Sequence, residues 1–118
     1  MWNPKEPTMK LPLDLRFIGL TRSEAVEASV HARVADLERA CSDLTALRVT
    51  VEQEHKHQSR GRPFTVRLDA TLPGQEVAVT HVLDEDVYVA VRDAFDAMRR
   101  KLEEMARIRR GEVKRHAG

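Results

Sequence analysis

Hydrophobic residues recur along this chain with two different periods, and the switches between them mark out six elements. Leu11, Leu13, Leu15 and Phe17 alternate with Pro12, Asp14, Arg16 and Ile18, the period of two that buries one side of a strand. The period then lengthens. Val26, Val30, Val34, Leu37 and Cys41 fall three or four residues apart, while Glu27, Arg33, Asp36 and Glu38 face elsewhere, which predicts an amphipathic helix. Thr21 and Glu24 have the spacing of a capping box, in which each side chain satisfies a backbone N–H of the first turn. The helix is therefore expected to begin there.

Three alternating runs follow: Leu47, Val49 and Val51; then Phe64, Val66, Leu68, Ala70 and Leu72; then Val77 and Val79, each with polar residues between. They predict strands with one polar side. Lys56 to Pro63 reads as a polar hairpin loop, and Pro73-Gly74 as a tight turn whose glycine supplies a positive φ. Tyr88, Val91, Phe95, Met98, Leu102 and Met105 then recur at helical spacing over about five turns. Asp84, Glu85 and Asp86 stand before this helix, at the positive end of its dipole, and Gly111 follows it. Continuing the helix past Ile108 would bring Arg109 onto the apolar stripe, so the regular helix is expected to stop near Ile108. The order β-α-β-β-β-α predicts an α+β fold, a four-stranded sheet with two helices packed on one face. Residues 1–10, with two prolines and no periodicity, read as a flexible N-terminal arm, 11–108 as the folded domain, and 109–118 as a basic tail.

A chain of 118 residues can bury about two-thirds of its unfolded surface and needs no disulfide or metal to hold a core. The single cysteine, Cys41, agrees with this. It falls on the apolar stripe of the first helix, and a catalytic role would need a base beside it, which His31, ten residues away on another face, does not supply. No run approaches the ~20 apolar residues of a membrane span, and the N-terminus lacks the apolar stretch of a secretory signal. A cytoplasmic protein with no membrane partner is expected.

Charge changes the picture more. The overall net charge is only +1, yet residues 92–118 carry nine Lys and Arg against five acids, while residues 1–91 are net acidic. A polyanion could meet one end of such a molecule. Other chemistry is sparse. His55 and His57 have a metal-like alternate spacing, but no third ligand is assured, so polar hairpin ends are the expectation and no metal or cofactor is assigned. The five glycines are isolated, and no phosphate-cradling loop opens a helix. With 4% aromatics and no aromatic pair on a strand face, the sheet lacks a base-stacking platform. Tyr88 and Phe95 are placed in the core by their spacing, so nucleic acid would have to use the helices. On an ideal wheel Arg100 and Arg107 lie opposite the apolar stripe, and Arg92 and Arg99 flank it. Local pairing of Asp96 with Arg100, Glu103 with Arg107 and Arg100 with Glu104 would be worth only a few tenths of a kcal/mol each, too little to stop RNA from competing.

The element order, the run from Asp84 to Asp96 (Asp-Glu-Asp-Val-Tyr-Val-Ala-Val-Arg-Asp-Ala-Phe-Asp), the preceding Leu72-Pro73-Gly74 and the closing Arg109-Arg110-Gly111-Glu112-Val113-Lys114 resemble the ribosome hibernation promoting factors, also called ribosome-associated inhibitor or sigma-factor modulation proteins. The resemblance spans about residues 11 to 116. It implies a non-enzymatic factor that binds the small ribosomal subunit in the messenger channel, over the transfer-RNA sites, and represses translation under stress. Family members carry lysines at the positions of Ala97, Glu104 and Ala106, whereas Arg100 matches a basic position. Here positive charge stands instead at Arg99, Lys101, Arg107, Arg109 and Arg110, as in a short, divergent form. The expected ribosomal-RNA-binding set is therefore Arg92, Arg99, Arg100, Lys101, Arg107, Arg109, Arg110 and Lys114. The expected partner is the small subunit and its RNA, with no small-molecule substrate, and the chain is expected as a monomer or weak homodimer. A non-ribosomal RNA-binding module on the same scaffold is the alternative, and a metal or hydrolytic enzyme centred on His55 and His57 is the second rival.

Overall fold

A computed structural model describes residues 12–53, 63–83 and 86–109. Its elements are β1 (Leu13–Ile18), α1 (Glu24–Ala40), β2 (Ala46–Gln53), β3 (Phe64–Leu72), β4 (Gln75–Leu83) and α2 (Val87–Arg109). The arm of residues 1–10, Leu11, the pair His55 and His57, Asp84, Glu85, and the tail from Arg110 onward with Gly111 and Lys114 lie outside the described residues.

The strands lie in the order β1-β2-β3-β4. β1 runs parallel to β2, as a crossover through a helix requires, and the other pairs are antiparallel. The sheet is therefore mixed. Its register follows from the alternation: Leu15, Val49, Leu68 and Val79 stand side by side in one row. All four point toward the helices, because slipping any strand by one residue would turn its apolar set to water. Pro73 fixes φ near −65° and Gly74 takes φ +79°, the combination of a type II turn. That two-residue turn pairs Leu72 with Gln75.

Both helices cover the same face. Val26, Val30, Val34 and Leu37 of α1, and Ala90, Val91, Ala94, Phe95, Met98 and Leu102 of α2, are buried against Val49, Val51, Val66 and Leu68 of the sheet. Each buried aliphatic side chain contributes roughly 1.5–3 kcal/mol before the entropy of ordering is charged against it. Among the described residues, Leu68 and Met98 are the largest side chains that are fully enclosed, and truncating either to alanine should cost about 2–5 kcal/mol. Among the described residues no polar or charged residue is buried. Charge is thus confined to the surface.

Four details differ from the sequence expectation. The cap of α1 is Ser23, whose hydroxyl accepts the N–H of Val26 at 3.2 Å. Thr21 lies two residues before this cap, and a turn capped directly by Ser23 needs no capping box. Cys41 ends α1 in an extended conformation and is only half-buried, although its N–H still reaches the Leu37 carbonyl. Tyr88 is not in the core: it is 43% exposed. Ala90 and Ala94 are buried in addition to Val91, Phe95, Met98 and Leu102, so the centre of the buried arc lies about 80° from Tyr88 on a wheel of 3.6 residues per turn and leaves Tyr88 at its margin. Finally, α2 continues through Arg109. The side chain that would have spoiled the stripe leaves the core and bonds to Asp43.

Candidate nucleic-acid interface

The two faces of the molecule treat their arginines differently. On the open face of the sheet stand Arg16, Arg48 and Arg67 with the acids Asp14, Glu52, Asp69 and Glu76, separated by Thr50, Thr65, Thr71 and Thr80. Each of the three arginines is engaged. Asp14 accepts bonds from Arg16 at 3.0 Å and from Arg48 at 3.2 Å, and Asp69 accepts from Arg67 at 3.0 Å. The bond from Arg16 and the nearby Arg48 hold the Asp14 carboxyl below its ordinary value, against a smaller opposing effect of desolvation. Asp69 in turn makes the Arg67 guanidinium harder to deprotonate. With more acids than bases, this face is net negative and has little to offer a phosphate chain.

The helical face is different. α1 and α2 run parallel, so that Arg33, Asp36 and Leu37 lie across a groove from Phe95, Asp96 and Arg99. Farther along, Ala40, Cys41, Ser42 and Asp43 lie across from Leu102, Glu103, Ala106, Arg107 and Arg109, around a cleft of about 670 Å³. Arg99 donates to Glu103 at 2.9 Å. This bond, reinforced by the fields of Asp36 and Asp96, raises the affinity of Arg99 for its proton.

Because Glu103 is drawn to Arg99, the expected Glu103–Arg107 pair does not form, and neither do Asp96–Arg100 and Arg100–Glu104. Arg100 and Arg107 are exposed, and among the described residues neither takes part in an ion pair. They occupy the outward side of α2, opposite Val91, Met98 and Leu102. Among the described residues no bond to them has to be broken before they meet an anion.

The remaining expected residues scatter. Arg92 is exposed and bonds to its neighbour Asp93 at 3.0 Å, and Asp93 also approaches His81 of β4 at 3.7 Å. Arg109 donates to Asp43 at 2.6 Å. Lys101 turns the other way, with its Nζ 3.4 Å from the Ala78 carbonyl. Since Leu72 and Gln75 flank a two-residue turn, residue 78 is one whose backbone groups point outward from the sheet, so Lys101 covers a free edge. Arg110 and Lys114 lie outside the described residues. The structure thus groups Arg92, Arg99, Arg100 and Arg107 on the outward and α1-facing sides of α2 and separates Lys101 from them. Arg33, expected on the solvated side of α1, belongs with this group. Its position was not legible because it depends on where the second helix lies.

Among the described residues no cluster of three metal-ligating side chains occurs, and no helix is long and apolar enough to cross a membrane.

The chain belongs to the sigma 54 modulation protein / S30EA ribosomal protein family, whose model matches residues 13–110. Among solved structures it is similar to a ribosomal subunit interface protein from Coxiella burnetii, with a TM-score of 0.66 and 15% identity over 81% of this chain and 98% of that one. It is also similar to the N-terminal domain of Thermus thermophilus Protein Y, with a TM-score of 0.61 and 22% identity over 76% of this chain and 94% of that one. At such identities the likeness shows a shared fold. No curated protein matches the chain.

Proposed function

We propose that this protein binds the small ribosomal subunit through ribosomal RNA and represses translation under stress by occupying the decoding region and messenger channel. Membership of the ribosomal family supports the partner. The observation that carries the choice of surface is the pair Arg100 and Arg107, exposed on one side of α2 and without a partner among the described residues, while on the sheet face the acids Asp14, Glu52, Asp69 and Glu76 outnumber the three arginines. Arg92 and Arg99 extend this surface toward α1. Their exposed pairs with Asp93 and Glu103 are worth at most about 1 kcal/mol each, so phosphates can displace those carboxylates. Binding of this kind acts by occupancy, needs no cofactor and performs no reaction. It is also strongest at low salt, because each neutralised phosphate releases condensed counterions.

The test is sedimentation of a lysate from starved cells at low salt, with immunodetection across the gradient. The protein should travel with small subunits or whole ribosomes and leave them as salt is raised. Protein that stays at the top of the gradient at ~50 mM salt, where phosphate-led binding is favoured, would contradict the proposal.

A further inference from the structure

Tyr88 stands where a core residue is expected and is not used as one. Among the described aromatic residues, Phe95 is buried, Phe17 and Phe64 are half-buried, and Tyr88 is 43% exposed. Its phenol makes no hydrogen bond among the described residues. Its backbone is nonetheless fixed. The Tyr88 N–H is held at 2.9 Å by the Asp86 carboxylate, and the Asp86 carbonyl accepts the N–H groups of both Val89 and Ala90 at 3.0 Å. The ring is therefore carried on a well-anchored first turn, at the margin of a buried arc that Ala90 and Ala94 extend on the side away from it. One turn farther, Arg92 stands on the same side of the helix, since residues four apart are surface neighbours. Arg92 is itself exposed, and among the described residues its one partner is the adjacent Asp93.

An exposed aromatic ring on a rigid element, followed by an arginine one turn later, suits one kind of ligand. The ring face accepts a nucleobase of any identity, and the guanidinium meets the neighbouring phosphate. A base inside a duplex presents no free face, so the ligand must carry an unstacked base. We infer that Tyr88 is a stacking platform for an unpaired base of single-stranded or looped RNA, with Arg92 holding the adjoining phosphate. This inference rests on the RNA-binding reading above and narrows it. It assigns the first turn of α2 to base contact and the later arginines to phosphates, and it favours loops over duplex.

Three variants, Tyr88→Phe, Tyr88→Leu and Tyr88→Ala, test it in the full chain, with thermal melts to confirm folding. Binding is measured as a function of salt to three probes: purified small ribosomal subunits, a 12-nucleotide unstructured RNA, and a 12-base-pair RNA duplex. Tyr88→Leu and Tyr88→Ala should bind the single strand and the subunit roughly 5- to 150-fold more weakly, the range expected for loss of one stacked base. Tyr88→Phe should bind within about twofold of the parent, because the ring face is kept. The dependence of log K on log salt should be unchanged in all three, since no charge is removed. Duplex binding should not respond.

Single-strand binding by Tyr88→Ala equal to that of the parent would overturn the inference and leave the proposed function standing. So would an equal loss on duplex, or a loss that Tyr88→Phe does not rescue. Loss confined to the subunit, with single-strand binding intact, would place Tyr88 against a ribosomal protein and likewise overturn it. If the parent chain binds neither the subunit nor either RNA, the proposed function fails together with the inference.

Discussion

The guanidinium of Arg109 lies 2.6 Å from the carboxylate of Asp43, and this contact ties the last turn of α2 to the segment that follows α1. It also explains how the helix continues through a position that its own periodicity assigns to the core. The pair is half-exposed on both sides, so it contributes at most about 1 kcal/mol to stability. Its larger effect is on charge, since it withdraws one arginine from the basic surface.

Asp43→Ala should therefore change stability by less than about 1 kcal/mol while strengthening RNA binding. If the freed Arg109 makes one new phosphate contact, the slope of log K against log salt steepens by about 0.7 to 0.9. Denaturant melts and a salt titration on small subunits check the two halves separately. Weaker RNA binding by this variant would show that the ion pair positions the interface rather than masking part of it.

Two glycines with the same φ of +79° should respond differently to alanine. At Gly74 a Cβ would meet nothing within 4 Å, whereas at Gly19 it would stand 2.1 Å from the carbonyl oxygen of Gln53. Gly74→Ala should cost about 1–2 kcal/mol, the strain of a left-handed conformation alone. Gly19→Ala adds a backbone collision to that strain and should cost roughly 3 kcal/mol or more. Equal losses in urea melts would mean that the chain after β1 can move away from β2 at little cost.

The sheet face makes stability depend on acid. Asp14 titrates below its ordinary value of 3.8 in the folded protein, so the folded state binds this proton less readily than the unfolded state does. Its stabilising contribution is thus complete above that value and is lost as pH falls through the lower, folded pKa. Asp14→Asn should remove part of the pH dependence of unfolding below about pH 4 and leave the profile near neutrality parallel to that of the parent. A profile unchanged below pH 4 would show that the bonds from Arg16 and Arg48 add nothing in solution.

Lys101 should behave as an edge guard and not as an RNA ligand. Its Nζ covers the Ala78 carbonyl on the free side of β4, and a charged lysine over an open strand edge opposes pairing with another chain. Lys101→Ala should leave RNA affinity and its salt slope within error while raising concentration-dependent association seen by light scattering. A flatter salt slope would return Lys101 to the RNA-binding set.

The six elements were legible because every strand has one apolar and one polar side and both helices carry apolar stripes of helical period. The turn at Pro73-Gly74 was legible for the same local reason. What escaped depended on distance or on small side chains. Ala90 and Ala94 count weakly as apolar, yet their size lets α2 lie close to the sheet on that side, and the buried arc is centred away from Tyr88, which stays exposed. Ser23 and Thr21 are both competent caps, and their spacing does not show which one the chain direction selects. Glu103 has arginines four residues away on either side, Arg99 and Arg107, and the spacing alone does not show that it bonds to Arg99. Asp43 and Arg109 are 66 positions apart, a separation that no periodicity reveals. The basic character of α2 was therefore readable from composition, but the division into free, paired and edge-covering cations required the fold.

The most direct test of the account is the salt dependence of binding to purified small ribosomal subunits for the parent, for Arg100→Gln with Arg107→Gln, and for Arg48→Gln with Arg67→Gln on the sheet face. The two double variants remove equal charge. If the outward side of α2 meets ribosomal RNA, the first should weaken binding more than tenfold at low salt and flatten the slope of log K against log salt by about 1.4 to 1.8. The second should leave both quantities close to those of the parent. Equal losses from the two would show that overall positive charge holds the subunit, and a loss confined to the sheet-face variant would place the RNA on the opposite side of the molecule.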